Sequence, residues 1–188
     1  KEFHIDLWLA PGMNIQRNPL CGRNFEYYSE DPFLSGKMAA AVVRGVQEEG
    51  TCGAVIKHFA CNNQEDNRMG VDVHISERAL REIYLRGFEI AVKESAPVAI
   101  MTSYNRVNGV HVANSRALCT VIAREEWGFD GVLMSDWSTT APEDGSIPWK
   151  CIEAGNDLIM PGSEKDDADI RQAYADGRLS EKEIRLCA

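Results

Sequence analysis

Three short apolar runs in this chain end in side chains that can do chemistry. Ala54-Val55-Ile56 runs into Lys57-His58, Val98-Ala99-Ile100-Met101 leads to Ser103-Tyr104-Asn105, and Val132-Leu133-Met134 ends in Ser135-Asp136-Trp137. The set is a cation, an imidazole, a phenol, a carboxylate and an indole. It suits a neutral, polyhydroxylated ligand: charged groups and hydroxyls bond sugar hydroxyls, and an aromatic face stacks on the sugar C–H surface. Taken singly, each residue has a plainer explanation. An Asp after an apolar run is most often a helix cap, a Lys is usually solvated, and a His or Tyr often packs with its polar atoms satisfied. Packing does not explain why all of them stand at the same end of successive runs.

The runs must therefore be strands that share a direction. Five occur, at 5–10, 54–56, 98–101, 132–134 and 158–160, nearly all apolar as in strands buried on both faces. Segments of helical period separate them. Asp31-Pro32 reads as an N-cap followed by Pro at the first helical position. Leu34, Met38, Ala41, Val42, Gly45 and Val46 then form one apolar face, and Gly50 is a stop. Ser76 caps a second helix whose face is Leu80, Ile83, Tyr84, Gly87, Phe88, Ala91 and Val92, closed by Pro97. Ser115 opens a third, through Leu118, Val121 and Ile122 to Gly128, and another lies near 148–154. Two more finish the chain, the last announced by a Ser180/Glu183 capping box.

Strands alternating with helix-length crossovers give an α/β fold with a parallel sheet. An open doubly wound sheet and a (β/α)8 barrel both fit. Neither G-x-G-x-x-G nor G-x-x-x-x-G-K-[ST] occurs, so the doubly wound option lacks its usual phosphate turn. A complete barrel takes roughly 250 residues. The expectation is a partial (β/α)8 TIM-type barrel, truncated at both ends. It begins at Lys1 before an apolar run and stops before the last helix completes about three turns. Residues 1–188 then form a single incomplete domain. A parallel barrel gathers its strand ends on one rim, where its active sites are built.

Composition narrows the function classes. With 20 Lys+Arg against 29 Asp+Glu, the net charge of −9 argues against a nucleic-acid partner. No apolar run approaches the ~20 residues of a membrane span. The cysteines Cys21, Cys52, Cys61, Cys119, Cys151 and Cys187 are scattered and form no C-x-x-C, which favours free thiols and a cytoplasmic setting. No metal or cofactor is implied, and His4, His74 and His111 are assigned no chemistry.

Several blocks resemble glycoside hydrolase family 3 β-glucosidases. The stretch 14–32, with Gly22-Arg23-Asn24-Phe25-Glu26-Tyr27-Tyr28-Ser29-Glu30-Asp31-Pro32, is similar to the family's signature. So are Lys57-His58-Phe59 with Asn63-Gln64-Glu65, Ser103-Tyr104-Asn105 with Asn108-Gly109, Met134-Ser135-Asp136-Trp137, and Ala154-Gly155-Asn156-Asp157 through Gly162. The resemblance covers essentially the whole chain. It implies that Asp136 is the nucleophile of a retaining mechanism. Arg23, Lys57, His58 and Tyr104 would line the subsite of the non-reducing-end sugar with Met101 on its wall, and Trp137 would flank the scissile bond. The substrates implied are β-glucosides or cello-oligosaccharides, with β-xylosides as a variant. On this reading Arg23 and Lys57 would favour the ionised form of Asp136, and Tyr104 could hydrogen-bond and position it.

Retention needs a second carboxyl about 5–5.5 Å away. Glu65 and Glu77 are the candidates in the chain. In the β-glucosidases the acid/base is a Glu of a following α/β sandwich domain, which this chain lacks, and a sugar-binding Asp is expected before Lys1. The N-acetylglucosaminidase branch uses a loop His, but Phe59-Ala60-Cys61-Asn62-Asn63 occupies that place. Two other readings stay open. In one the chain alone is a non-catalytic fragment whose unclosed barrel edges pair or aggregate. In the other Lys57 is the Schiff-base lysine of an aldolase.

Overall fold

The computed structural model describes residues 4–188. Four parallel strands form its main sheet: β1 (Leu7–Trp8), β2 (Gly53–Phe59), β4 (Ala99–Thr102) and β7 (Val132–Met134). Their spatial order, β1-β2-β4-β7, is their order along the chain. Leu7 pairs with Gly53, Val55 with Ala99, and Ile100 with Leu133. A doubly wound sheet reverses direction at a switch point. No reversal occurs in this sheet, and the succession is that of a barrel wall. The fifth run is weaker than expected: Leu158 makes only an isolated parallel bridge to Met134.

The two faces of the wall separate by the period of two. Ile56, Ile100 and Leu133 point into a core shared with helix residues Val43, Phe88, Leu118 and Ile122. Val55, Ala99, Met101 and Met134 point the other way, where Leu7, Leu9 and Met160 cover them. The helices are α1 (Pro32–Gln47), α2 (Glu77–Ala79) running through a π-helical stretch Leu80–Tyr84 into α3 (Arg86–Ser95), a π-helical segment Ala117–Glu126, α4 (Pro148–Ala154), α5 (Glu164–Ala175) and α6 (Glu181–Leu186). Asp31, Ser76 and Ser180 cap as their sequence signals require, Ser180 within a complete capping box.

One expected helix face is displaced, and a second holds except at Ile83. In α1 the buried residues are Ser35, Gly36, Ala39, Ala40 and Val43, while Leu34 and Met38 are exposed. The cause is close helix packing. A Cβ on Gly36 would stand 2.9 Å from the Gly87 carbonyl and 2.9 Å from Ile90 Cβ, so the small-residue face is the one that can approach α3. In the second helix the Leu85 N–H donates to the Leu80 carbonyl, a π-turn that inserts a residue and rotates the face locally. Leu85 is buried and Ile83 exposed as a result.

A small sheet that the periodicity does not foretell sits outside the wall. β3 (Asp72–Val73) pairs parallel with β5 (Arg106–Val107), which pairs antiparallel with β6 (Val110–His111). Asn108 and Gly109 turn the hairpin with φ of 49° and 87°, the positive pair that an Asn-Gly turn provides.

Candidate active site

The strand ends do converge. Asp136 follows β7, and its backbone is fixed by Ser135, whose N–H donates to the Leu158 carbonyl at 2.8 Å and whose hydroxyl accepts from Met160 N–H at 2.9 Å. Asp136 is buried, its side chain 8% exposed. Its Oδ1 accepts from the Trp137 N–H at 2.8 Å. Its buried Oδ2 has no hydrogen-bond partner and lies 3.9 Å from His58 Nε2.

His58 is locked from behind. Asn14 accepts from the His58 N–H at 2.7 Å and donates to its carbonyl at 2.8 Å, and Nδ1 lies 3.3 Å from both Asn14 Oδ1 and the Tyr27 hydroxyl. Burial, together with the positive charges of Arg23, Lys57 and Arg68, drives the imidazole pKa well below its usual value. The ring is therefore neutral at pH 7, a hydrogen-bonding group and not a counter-ion.

Arg23 and Lys57 share a carboxylate that lies in a loop, away from the strand ends. Glu26 Oε1 accepts from Arg23 Nε at 2.5 Å, and Glu26 Oε2 lies 3.8 Å from Lys57 Nζ. This changes the expected electrostatics. Desolvation pushes the Asp136 pKa up, and the Trp137 N–H, Tyr104, Arg68 and Arg23 oppose it without cancelling it. Arg23 and Lys57 favour the ionised Asp136 as expected, but their direct partner is Glu26, and burial of Asp136 is the larger effect.

Tyr104 stands beside Asp136 as expected. Its hydroxyl donates to the Trp137 carbonyl at 2.9 Å, bracing the backbone next to the carboxylate, and it is close enough to Asp136 to favour the ionised carboxylate. Burial and the nearby Asp136 charge raise the phenol to about 12. Met101 is buried on the inner face of the wall, among Val55, Ala99 and Met134. Trp137 stands at the rim with half its surface exposed.

Glu65 lies in the loop after β2. It accepts from Arg68 at 2.7 Å and from Asn62 at 3.4 Å, so its carboxylate is already committed. Arg68 in turn lies 4.7 Å from the Tyr104 ring centroid, a cation–π distance. Glu77 opens α2 and lines an apolar groove with Leu80, Val107, Val110 and Leu118, a different part of the surface. Among the described residues no group of three His, Cys, Asp or Glu could hold a metal ion.

The match to the Glycosyl hydrolase family 3 N terminal domain runs over residues 1–187. The chain belongs to glycosyl hydrolase family 3. A "Beta-glucosidase" from Ruminococcus albus is 49% identical over 191 residues, a match covering 98% of this chain and 20% of that protein. An "Exo-alpha-(1->6)-L-arabinopyranosidase" from Bifidobacterium breve is 51% identical over 176 residues, covering 94% and 22%. The solved structure of beta-glucosidase 3B from Thermotoga neapolitana in complex with glucose superimposes with a TM-score of 0.93 at 53% identity, over 99% of this chain and 26% of that one. The chain thus spans about a fifth to a quarter of the length of these family 3 relatives.

The family 3 domain supplies more at the rim than strand-end reading finds. Asn14, Glu26, Tyr27 and Arg68 all sit in loops, where no periodicity marks them. Glu26 had one usable signal, its place three residues after Arg23, the spacing of a local ion pair.

Proposed function

We propose that this chain carries the nucleophile and most of the terminal-sugar subsite of a retaining β-glucosidase. The observation that carries the reading is the Asp136 carboxylate, which is buried at the barrel rim with Oδ2 free of any hydrogen bond. A carboxylate that the fold leaves unsatisfied beside a neutral His, two cations and an exposed Trp is suited to meet an electrophilic carbon. Asp136 attacks the anomeric carbon as the glycosidic C–O bond breaks, and the departing oxygen takes a proton from the acid residue. Water then attacks the same carbon, gives its proton to that residue and frees Asp136.

The binding groups divide the sugar between them. Arg23 and Lys57 donate to its hydroxyls. With Nδ1 facing both the Tyr27 hydroxyl and Asn14 Oδ1, neutral His58 presents Nε2 to another, as donor or acceptor according to its tautomer. Met101 backs the ring, and Trp137 stacks on the leaving side. The pairing of Glu65 with Arg68 favours an acid/base from outside residues 1–188, with these residues an incomplete barrel of a longer enzyme. By itself the chain turns over unactivated glucosides negligibly.

The names of its relatives leave two pyranoses to distinguish, because L-arabinopyranose lacks the hydroxymethyl group of glucose. The β-glucoside reading is favoured here by the Thermotoga structure, whose likeness extends over 99% of the chain and which holds glucose. A 2-deoxy-2-fluoro-β-glucoside tests mechanism and sugar together. In the full-length protein it should leave a stable glycosyl ester on Asp136, found by peptide mass spectrometry. Labelling of any other carboxylate removes Asp136 as the nucleophile.

A further inference from the structure

We propose that Glu26 is the positioning residue of this site: one carboxylate, seated against Gly12, sets both Arg23 and Lys57 toward the sugar. The proposal rests on the glycosidase reading above for the identity of the ligand, but the contact itself does not. Glu26 spends one oxygen on each cation, 2.5 Å from Arg23 Nε and 3.8 Å from Lys57 Nζ. All three side chains are largely buried, so the contacts are poorly screened. Only Nε of Arg23 is spent in this way. Its terminal nitrogens, which can span two neighbouring hydroxyls, carry no hydrogen bond among the described residues.

The charges around Lys57 show what Glu26 does there. Lys57 faces Glu26, Arg23 and Asp136. Burial and Arg23 favour loss of its proton, and Glu26 and Asp136 favour keeping it. Without Glu26, two cations would face each other in a partly dry rim with a single, more distant carboxylate between them.

Gly12 makes the arrangement sterically possible. Residues 11–13 run beside Lys57: Pro11 O accepts from the Lys57 N–H at 3.1 Å, and the Met13 N–H donates to Lys57 O at 2.7 Å. A Cβ built on Gly12 would stand 2.8 Å from Glu26 Oε2 and 3.0 Å from Tyr27 Cε1. The tightest of these contacts is with the far end of a flexible side chain, so an added methyl group would displace the Glu26 carboxylate first and press next on the buried Tyr27 ring.

Glu26→Gln and Gly12→Ala test the proposal from opposite sides, one removing the charge and the other pushing it away. In the intact protein with p-nitrophenyl β-D-glucopyranoside, both should raise KM by about ten- to a hundredfold, the effect of losing a charge-assisted bond, with a smaller change in kcat. Lys57 should lose its proton at lower pH, because it loses a charge that keeps it protonated. Titration of the Lys57 ammonium by heteronuclear NMR reads the same shift without any need for activity. Unchanged KM and unchanged Lys57 titration in folded Glu26→Gln would overturn the proposal. So would a Glu26→Gln chain that fails to fold while Gly12→Ala behaves as wild type, since Glu26 would then serve only the fold. Failure of the glycosidase reading looks different: the wild type hydrolyses no glucoside, yet Lys57 still responds to Glu26→Gln.

Discussion

Two aspartates flank the region of β7 and are treated in opposite ways. Asp157 Oδ2 accepts from Arg124 at 2.6 Å and from the Leu133 N–H at 2.7 Å, joining a helix to the strand with a partly buried ion pair. Asp136, as deeply placed, receives one backbone N–H on Oδ1 and nothing on Oδ2, and its nearest basic atom belongs to a neutral imidazole. Each aspartate leaves one buried carboxylate oxygen unmatched, Asp157 Oδ1 and Asp136 Oδ2, at a cost in folding free energy, so what divides them is the guanidinium. The fold supplies a guanidinium at the strand where it needs a tie and withholds one at the rim where a ligand must enter. The difference separates a structural acid from a reactive one.

Amide replacement at both positions should split them. Asp136→Asn keeps the shape and removes the nucleophile. In the full-length protein kcat/KM should fall by about 10⁴-fold, the scale seen when a member of a catalytic set is removed, with no loss in thermal stability. Asp157→Asn should do the reverse. Breaking its pair with Arg124 destabilises by about 2–4 kcal/mol in urea unfolding, as expected when one partner of a buried pair is lost, while activity per folded molecule holds. If Asp157→Asn were catalytically dead at full stability, or Asp136→Asn fully active, the contrast would be void.

The same contrast shows what was legible in the residues. Strand direction, sequential order and the rim position of Lys57, His58, Tyr104 and Asp136 follow from apolar runs and from what ends them, because a parallel wall allows few alternatives. Helix faces were less legible. Periodicity finds the larger apolar residues of α1, Leu34 and Met38, but helix packing selected the face where Gly36 meets Gly87. The Asn108-Gly109 hairpin carried a local turn signal but flanks only two-residue strands, too short to show alternation. At the site, loop residues such as Glu26 and Arg68 have no period, and only their ion-pair geometry reveals them.

The pH response of stability sharpens the comparison at smaller cost. Burial raises the Asp136 pKa, so the native state binds that proton more tightly than the unfolded chain does. The sign follows: this contribution is fully present below the unfolded pKa of ~3.9 and is lost as pH rises through the higher native value. Asp136→Asn removes it. The stability difference between Asp136→Asn and wild type, from urea midpoints between pH 4 and pH 7, should therefore grow in favour of the variant as pH rises. A difference that stays flat would mean that Asp136 is already ionised without penalty.

The smallest effect belongs to Arg68. Its guanidinium lies over the Tyr104 ring, is paired with Glu65, and is one of the charges that hold the Asp136 pKa down. Arg68→Met keeps much of the side-chain bulk over the phenol and removes the charge. Without that charge Asp136 should take up its proton at higher pH, so the acid limb of kcat/KM moves up while the rate at neutral pH falls less than about tenfold. The modest size follows from geometry: Arg68 is already neutralised in part by Glu65 and stands more than a third exposed, where solvent screens it. An acid limb that does not move would assign Arg68 to packing on Tyr104 alone. The ionisation of Asp136 would then rest on Arg23, the Trp137 N–H and Tyr104.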